Sequence, residues 1–263
     1  MNKILIQEIK LNIKNLLIWS ISVGGMGMAC ILLYSSMQGD IKDMADAFSN
    51  MGAFSDAFGM STLSIATIGG YFATEVGTVH SLGSGMFAAI LAICIISKEE
   101  EGHSGEFLLS LPVSRNKVLC AKGLYVFITI IVFTIICALF YLLGFNILDE
   151  EPPMKEFISF MFFQCLMDLE VAGICFAISA LSGKNRMGLG IGISMMLYVY
   201  DLIGRVVPDM KDYLFIGPYS FANASDIFSG NDVEVKAVVL AIGIMVITVF
   251  GAFYIYNRRD LAS

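Results

Sequence analysis

Several ionisable residues lie within strongly apolar stretches of this sequence, among them His80, Asp168, Glu170, Asp201 and Arg205. An ionisable group inside a membrane span costs about 2.5–3.5 kcal/mol on insertion scales, so each one needs an explanation. One interpretation is a polar lining for a cationic or amphipathic substrate, or a path for protons. The other is structural, with hydrogen bonds between helices made by protonated acids, or an Arg205–Asp201 ion pair near the outer surface. Asp168 and Glu170 are two residues apart, so they point to nearly opposite sides of a helix.

A polar interruption between two apolar stretches runs from Lys98 to Lys117, with the sequence KEEEGHSGEFLLSLPVSRNK. Four glutamates lie in its first turns, where a helix dipole tolerates anions: Glu99, Glu100, Glu101 and Glu106. Pro112 ends the helical pattern after an apolar patch made of Phe107, Leu108, Leu109 and Leu111. Two interpretations remain open for this segment. It is either a short amphipathic helix that docks on a partner protein or a solvated connecting loop.

The catalytic and metal-binding motifs that could use such residues are incomplete. Gly183-Lys184 lacks a glycine at position 178 and a following Ser or Thr, so it cannot be a phosphate-binding P-loop. His103 has helical spacing to Glu99 and Glu106, but two carboxylates and one exposed histidine fit a solvated acidic face better than a metal site. The six cysteines show no CxxC spacing, which argues against a zinc site or a disulfide framework. We therefore expect no metal site, no bound cofactor and no enzyme activity in this chain.

Composition places the chain in the membrane. Hydrophobic residues make up 57% of the sequence and charged residues 15%, whereas soluble domains are about 25% charged. About 20 apolar residues cross the hydrocarbon layer, and the chain holds roughly six such runs. The net charge of −7 leaves no basic stripe to neutralise phosphates, which argues against nucleic-acid binding. We predict an all-α, polytopic membrane protein.

The elements that position these residues follow from the apolar runs. A single domain, 1–263, is expected to begin with an amphipathic helix at 1–15 that lies in the membrane interface, basic face toward the lipid headgroups. Six spans follow, at about 16–37, 70–97, 120–145, 157–181, 187–206 and 237–256. Polar segments at 38–64 and 207–236 connect spans on one side, and the first of them has a helical piece from Asp40 to Asn50.

The basic residues predict the orientation of the spans. With both termini inside, eleven of the sixteen lysines and arginines fall on the inner side and five on the outer side or outer half. Cytoplasmic loops carry the excess of basic residues in membrane proteins. The termini and the segment 98–117 are therefore predicted to be cytoplasmic, and the outer face is predicted to be acidic.

Small residues recur along two of the spans. In the second span they come at every fourth position: Ala73, Gly77, Ser81, Gly85 and Ala89. In the fifth span Gly188 and Gly192 form a GxxxG pair. Small side chains let membrane helices approach closely, so both patterns predict helix packing and not chemistry.

Four stretches of the chain resemble bacterial ABC-2 family permeases, the membrane subunits of ATP-driven exporters. The most specific is KEEEGHSGEFLLSLPVSR (98–115), preceded by AFGMSTLSIATIGGYFATE (57–75). GPYSFANASDI (217–227) and YNRRDL (256–261) resemble the region before that family's last span and its cytoplasmic end. The likeness covers nearly the whole chain, including the order of an interfacial helix and six spans.

The resemblance implies a coupling helix within 99–111 that docks in a groove on a separate ATPase, which binds ATP and Mg. The glutamates Glu99, Glu100 and Glu101 would lie in this helix, Glu106, Phe107, Leu108 and Leu109 would be its contact, and Arg115 would anchor its end. It further implies two permease subunits, identical or paired with a sister chain, beside two ATPases. Segments 38–64 and 207–236 would then cap the outer opening.

We therefore expect the permease subunit of an ATP-driven ABC exporter in a bacterial cytoplasmic membrane, moving a hydrophobic, peptide-like or drug-like substrate outward. One alternative is a secondary transporter driven by protons through Asp168, Glu170 and Asp201. The other is a non-transporting sensor or immunity subunit that protects a cell from an antimicrobial peptide.

Overall fold

Six long apolar helices dominate the computed structural model, which describes residues 2–37, 51–60, 63–101 and 114–259. Each is long and apolar enough to cross a membrane: α1 (Asn2–Met37), α3 (Ile68–Cys94), α5 (Arg115–Ile147), α6 (Met154–Leu181), α7 (Met187–Val206) and α9 (Val235–Arg258). Short helices connect them: α2 (Ala53–Phe58), α4 (Ser97–Glu101), α8 (Ala224–Phe228) and a 3-10 segment, Pro208–Ile216. These residues form no β-strand, so the predicted all-α class with six spans is confirmed.

Several helices extend beyond the spans that hydropathy predicts. The predicted interfacial helix is not a separate element, because α1 runs from Asn2 to Met37 without a break at residue 15. Likewise α5 begins at Arg115 and not near 120, and α9 continues to Arg258. Hydropathy marks where side chains become polar, whereas a helix ends only where a capping or breaking residue stops it. The predicted helical piece from Asp40 to Asn50 lies outside the described residues.

α3 is the central helix of the bundle. It packs between α6 and α7 and contacts α1, while α1 packs along α5 and α9 packs along α6. One turn of α3, Phe72–Val76, is a π-helix. Phe72 within it is fully buried and contacts the rings of Tyr141, Phe145, Phe157, Phe160 and Phe228. This aromatic cluster joins α3, α5, α6 and α8.

The two ends of the bundle differ in charge. We call the end that holds Lys98, Arg115, Lys117, Arg258 and Arg259 the basic end, and the opposite end, with Asp149, Glu150, Asp209, Asp212 and Asp226, the acidic end. Short elements form a layer over the acidic end. Ser225 on α8 donates a hydrogen bond to the Phe58 carbonyl of α2 at 3.0 Å. Gly59, at a left-handed φ of 72°, lets this contact form, because a Cβ there would clash with Ser225.

Candidate functional site

A buried cluster of four charged side chains joins three parts of the chain at the basic end. The ammonium group of Lys122 lies 3.0 Å from Glu8 Oε1 and 2.7 Å from Glu99 Oε1. Lys98 pairs with the other Glu8 oxygen. Two positive and two negative charges balance within the cluster. We call these four residues the ion-pair cluster.

Local structure explains how each side chain reaches the cluster. Glu8 lies on the inward face of α1, on the same side as the buried Leu16. Lys122 lies in the third turn of α5 and is fully buried. Its ammonium also donates to the Ile95 carbonyl at 2.5 Å, just past the end of α3, where helical carbonyls lack intrahelical partners. Lys122 therefore also supplies a hydrogen-bond donor to a backbone carbonyl at the end of the central helix α3.

Burial makes the cluster costly to break. Only Lys98 and Glu99 retain modest exposure, with 28% and 16% of their side chains accessible. Removing one partner of a buried ion pair costs about 3–5 kcal/mol, since the remaining charge is left without compensation. The ion-pair cluster therefore holds α1, α4 and α5 together.

The ion-pair cluster lies beside both flanks of residues 102–113, which themselves lie outside the described residues. On one side of this segment, α4 carries Lys98 and Glu99 and ends at Glu101. On the other side Arg115 opens α5, and its Nη1 donates to the carbonyls of Arg259 at 2.8 Å and Tyr256 at 3.3 Å. Both flanks of the segment are therefore fixed to spans.

Further hydrogen bonds tie this end of the bundle together. Ser179 Oγ of α6 accepts from the backbone N–H groups of Ile96 and Ser97 at 3.2 and 3.3 Å. Asn257 donates to Asn116 at 2.6 Å, and Arg259 donates to the Ala180 carbonyl at 2.8 Å. Motion of α4 or the start of α5 is thus linked to α6 and α9 as well as to α1.

The sequence-predicted coupling residues fall in different surroundings. Glu99 turns inward onto Lys122, Glu101 is exposed, and Arg115 contacts α9 and the chain just beyond it. Glu106, Phe107, Leu108 and Leu109 lie outside the described residues, as does the Glu100 side chain.

Neither the role of Glu8 nor the burial of Lys122 is among the predictions from the sequence. Two signals could have found them. Glu8 is the single acid within residues 1–37, set among three lysines of a predicted amphipathic helix. Lys122 lies inside an apolar run, where an ionisable side chain calls for a partner.

The intramembrane polar residues are buried between helices. His80 is fully buried and its Nδ1 lies 2.8 Å from the Tyr141 hydroxyl of α5. Asp168 and Glu170 on α6 are each about 1% exposed. Neither Asp168 oxygen meets full hydrogen-bond geometry in the described part of the chain, but the Ser84 side chain of α3 lies beside this carboxyl group as a potential donor. Glu170 Oε2 has no hydrogen-bond partner among the described residues.

Asp201 and Arg205 form the ion pair that was one of the two predicted alternatives. Arg205 Nε lies 2.8 Å from Asp201 Oδ2, and its Nη1 lies 2.7 Å from Asp226 Oδ2 on α8. The guanidinium therefore bridges α7 and the layer over the acidic end. Two carboxylates therefore neutralise the Arg205 guanidinium, which indicates a structural role for this residue.

The stripe of small residues on α3 is buried along its whole length. A Cβ at Gly77 would clash with Ala224, and one at Gly85 would clash with the Tyr219 hydroxyl. Ser81 accepts a hydrogen bond from Gln164 at 2.7 Å. The stripe, with Ala73 and Ala89 at its two ends, faces other helices and the segment before α9.

The GxxxG pair on α7 has different surroundings. Gly188 and Gly192 are exposed, with no heavy atom within 4 Å of a Cβ placed on either. The close packing of α7 on α3 uses Gly190 instead, where a Cβ would lie 3.2 Å from the Ala89 carbonyl oxygen. The GxxxG face is thus open on the surface of this chain.

The described residues include no group of three or more His, Cys, Asp or Glu side chains placed to hold a metal ion.

Nearly the whole sequence is similar to one family of known proteins. A family model described as ABC-2 family transporter protein matches residues 3–261, whereas no curated protein matches. The match includes all six spans and both flanks of residues 102–113. The chain is therefore a multi-pass membrane protein that belongs to the ABC-2 transporter family.

Proposed function

We propose that this chain is the permease subunit of an ATP-driven exporter and that a separate ATPase acts on residues 102–113. The observation that carries the proposal is the ion-pair cluster beside that segment. Family membership implies an ABC transport system with an ATPase partner. In this proposal the ATPase pushes on residues 102–113, and the ion-pair cluster transmits the displacement to the spans.

The ion-pair cluster connects α4 mechanically to α5 and α1. If the ATPase displaces α4, Glu99 moves with it, and Lys122 must follow or lose a buried partner. Lys122 in turn holds Glu8 on α1. Because breaking such contacts costs several kcal/mol, tilting of α1 and α5 together is the lower-energy response. Arg115 transmits the same displacement to the end of α9.

The open GxxxG face supports a second permease subunit. Gly188 and Gly192 lie beside exposed apolar side chains, of which Met196 is 69% exposed. Close approach of small residues is how membrane helices associate without a hydrophobic driving force. We propose that α7 meets its counterpart on the second subunit, either an identical chain or a sister chain.

The charge difference between the two ends also indicates how the chain is oriented in the membrane. The basic end faces the cytoplasm of a bacterial cell, so that both termini and residues 102–113 are cytoplasmic. ATP and Mg bind on the partner ATPase. A hydrophobic, peptide-like or drug-like substrate moves outward, and the layer of α2, α8 and the 3-10 segment covers the outer opening.

Co-purification tests the proposal. The double variant Leu108→Asp, Leu109→Asp removes the apolar patch of residues 102–113 and is expected to lose the ATPase while still inserting in the membrane. Tyr213→Asp with Ile216→Asp is the control, since these are exposed apolar residues at the acidic end. Normal recovery of the ATPase with the Leu108, Leu109 variant contradicts the proposal.

One observation favours a second candidate, a proton-driven transporter. Asp168 is buried in mid-span, and neither of its oxygens meets full hydrogen-bond geometry in the described structure, although the Ser84 side chain lies beside it. Under this candidate Asp168→Asn abolishes transport with assembly intact, and transport is sensitive to uncouplers but not to vanadate. Under the exporter proposal, vanadate blocks transport.

A further inference from the structure

An apolar groove runs between α5, α6 and α9 on the outer surface of the bundle. It has a volume of about 570 Å³, within the roughly 300–1,000 Å³ of typical ligand pockets. Its walls are almost wholly apolar and include Leu119, Leu124, Leu169, Gly173, Met245 and Phe253. The groove is open to the side, where a membrane protein meets lipid.

Small residues create the groove. Gly123 on α5 has only the Phe176 ring near the position of a Cβ, at 3.7 Å. Ala172 and Gly173 on α6 also line the space. These positions hold no side chain that reaches across from α5 to α9, so a cleft remains between two helices that are both packed against α6.

The length of the groove matches one membrane leaflet. Its α6 wall runs from Leu166 to Phe176, which is about 15 Å at 1.5 Å per residue. The hydrocarbon core of a bilayer is about 30 Å thick. The groove starts near the basic end, because Leu119 and Cys120 lie in the second turn of α5.

Basic residues lie beyond the groove at that end. Lys117 is exposed and precedes the groove residues Cys120 and Leu124 by three and seven positions, so it lies on the same face of α5. The Asn257–Asn116 hydrogen bond of 2.6 Å brings the end of α9 beside it. Four cationic residues lie at these two helix ends, which we call the basic corner: Arg115, Lys117, Arg258 and Arg259. The Arg258 guanidinium lies over the Tyr254 ring, and Arg259 donates to the Ala180 carbonyl.

We propose that this groove binds an anionic phospholipid, with one acyl chain between α5 and α9 and the phosphate at the basic corner. Basic pockets between spans bind anionic headgroups, and a leaflet-length apolar cleft fits the attached chain. Lys117 is the principal headgroup contact, since Arg115 is held by the carbonyls of Tyr256 and Arg259. The bound lipid joins the three helices at the basic end of the bundle.

Native mass spectrometry of the purified, delipidated chain tests the proposal, using phosphatidylglycerol and phosphatidylcholine as probes. We expect one phosphatidylglycerol per chain to be retained in preference to phosphatidylcholine. Lys117→Gln should weaken phosphatidylglycerol binding about five-fold, the effect of one lysine near a charged surface. Gly123→Phe fills the groove and should weaken binding roughly ten-fold or more, as expected when at least two methylenes lose their site.

Matched controls separate the groove from the general surface. Gly251→Phe places the same ring on α9 at a position with no neighbour within 4 Å, on the side opposite Met245, Val249 and Phe253. Lys14→Gln removes an exposed lysine of α1. Both should bind lipid as the parent does. Equal retention of the two lipids by the parent, or unchanged phosphatidylglycerol binding in Lys117→Gln or Gly123→Phe, overturns the proposal.

A third outcome also overturns it. If Gly123→Phe removes a dimer peak without changing lipid binding, the groove is occupied by a second copy of the chain. No ATPase takes part in these measurements, so their result is independent of whether the exporter proposal holds.

Discussion

The ammonium group of Lys122 lies 3.0 Å from the Glu8 carboxylate, although 114 residues separate them in the chain. This contact attaches the start of α1 to α5 beside the segment 102–113. Glu99 completes the arrangement from α4 at 2.7 Å. The cytoplasm-facing helices of the proposed permease would therefore respond as one unit to a push on that segment.

Lys122→Met should destabilise the protein by about 3–5 kcal/mol, because Glu8 and Glu99 lose a buried cationic partner. Unfolding of the purified protein in mixed micelles measures the loss. Lys14→Met is the control, since this lysine is exposed on α1. Addition of Glu8→Gln to Lys122→Met should recover part of the stability, and strictly additive effects would contradict a direct pair.

The ion-pair cluster should also matter for the coupling of ATP hydrolysis to substrate transport. In Lys122→Met we expect the ATPase to co-purify normally, since residues 102–113 are unchanged. Substrate transport per ATP hydrolysed should fall, because α1 and α5 no longer move with α4. The ratio of the two rates in proteoliposomes measures this. An unchanged ratio would show that force reaches the spans by another route.

Arg205→Gln should loosen the acidic end by about 3–5 kcal/mol, because it leaves Asp201 buried without its cation. Asp226 also loses its contact, so α8 detaches from α7. Protease sensitivity between residues 207 and 236 reports this change. Lys155→Gln is the control, because this lysine of α6 is exposed and loss of an exposed charge contributes little.

Two glycine substitutions should separate packing within the chain from packing between chains. Gly85→Val should unfold the bundle, since its side chain would meet the Tyr219 hydroxyl. Gly188→Val should change the stability of the single chain by less than about 0.5 kcal/mol, because the site is open. Its effect should appear as a loss of permease dimers in cross-linking. A Gly188→Val variant that dimerises normally argues against the α7 interface.

The sequence is sufficient for part of this architecture. The number and order of spans follow from apolar runs, and the α3 stripe with Gly77 and Gly85 lies at close contacts as its spacing predicts. Helix ends were less predictable: α1 shows no local signal at residue 15, so the helix simply continues.

The candidate site was harder to predict than the spans. Pairing Glu8 with Lys122 requires knowing that α1 packs along α5, and hydropathy carries no information on which spans are neighbours. The Arg205–Asp201 pair was accessible to sequence reasoning because its partners are one helical turn apart. The difference between the two cases is sequence separation.

The most direct test of the account is photo-cross-linking from a single reactive residue placed at position 108, in membranes that contain the whole transport system. The account predicts a cross-link from position 108 to a protein that carries a P-loop, and none from position 213 at the acidic end. A P-loop protein captured from position 213 but not from 108 would contradict it.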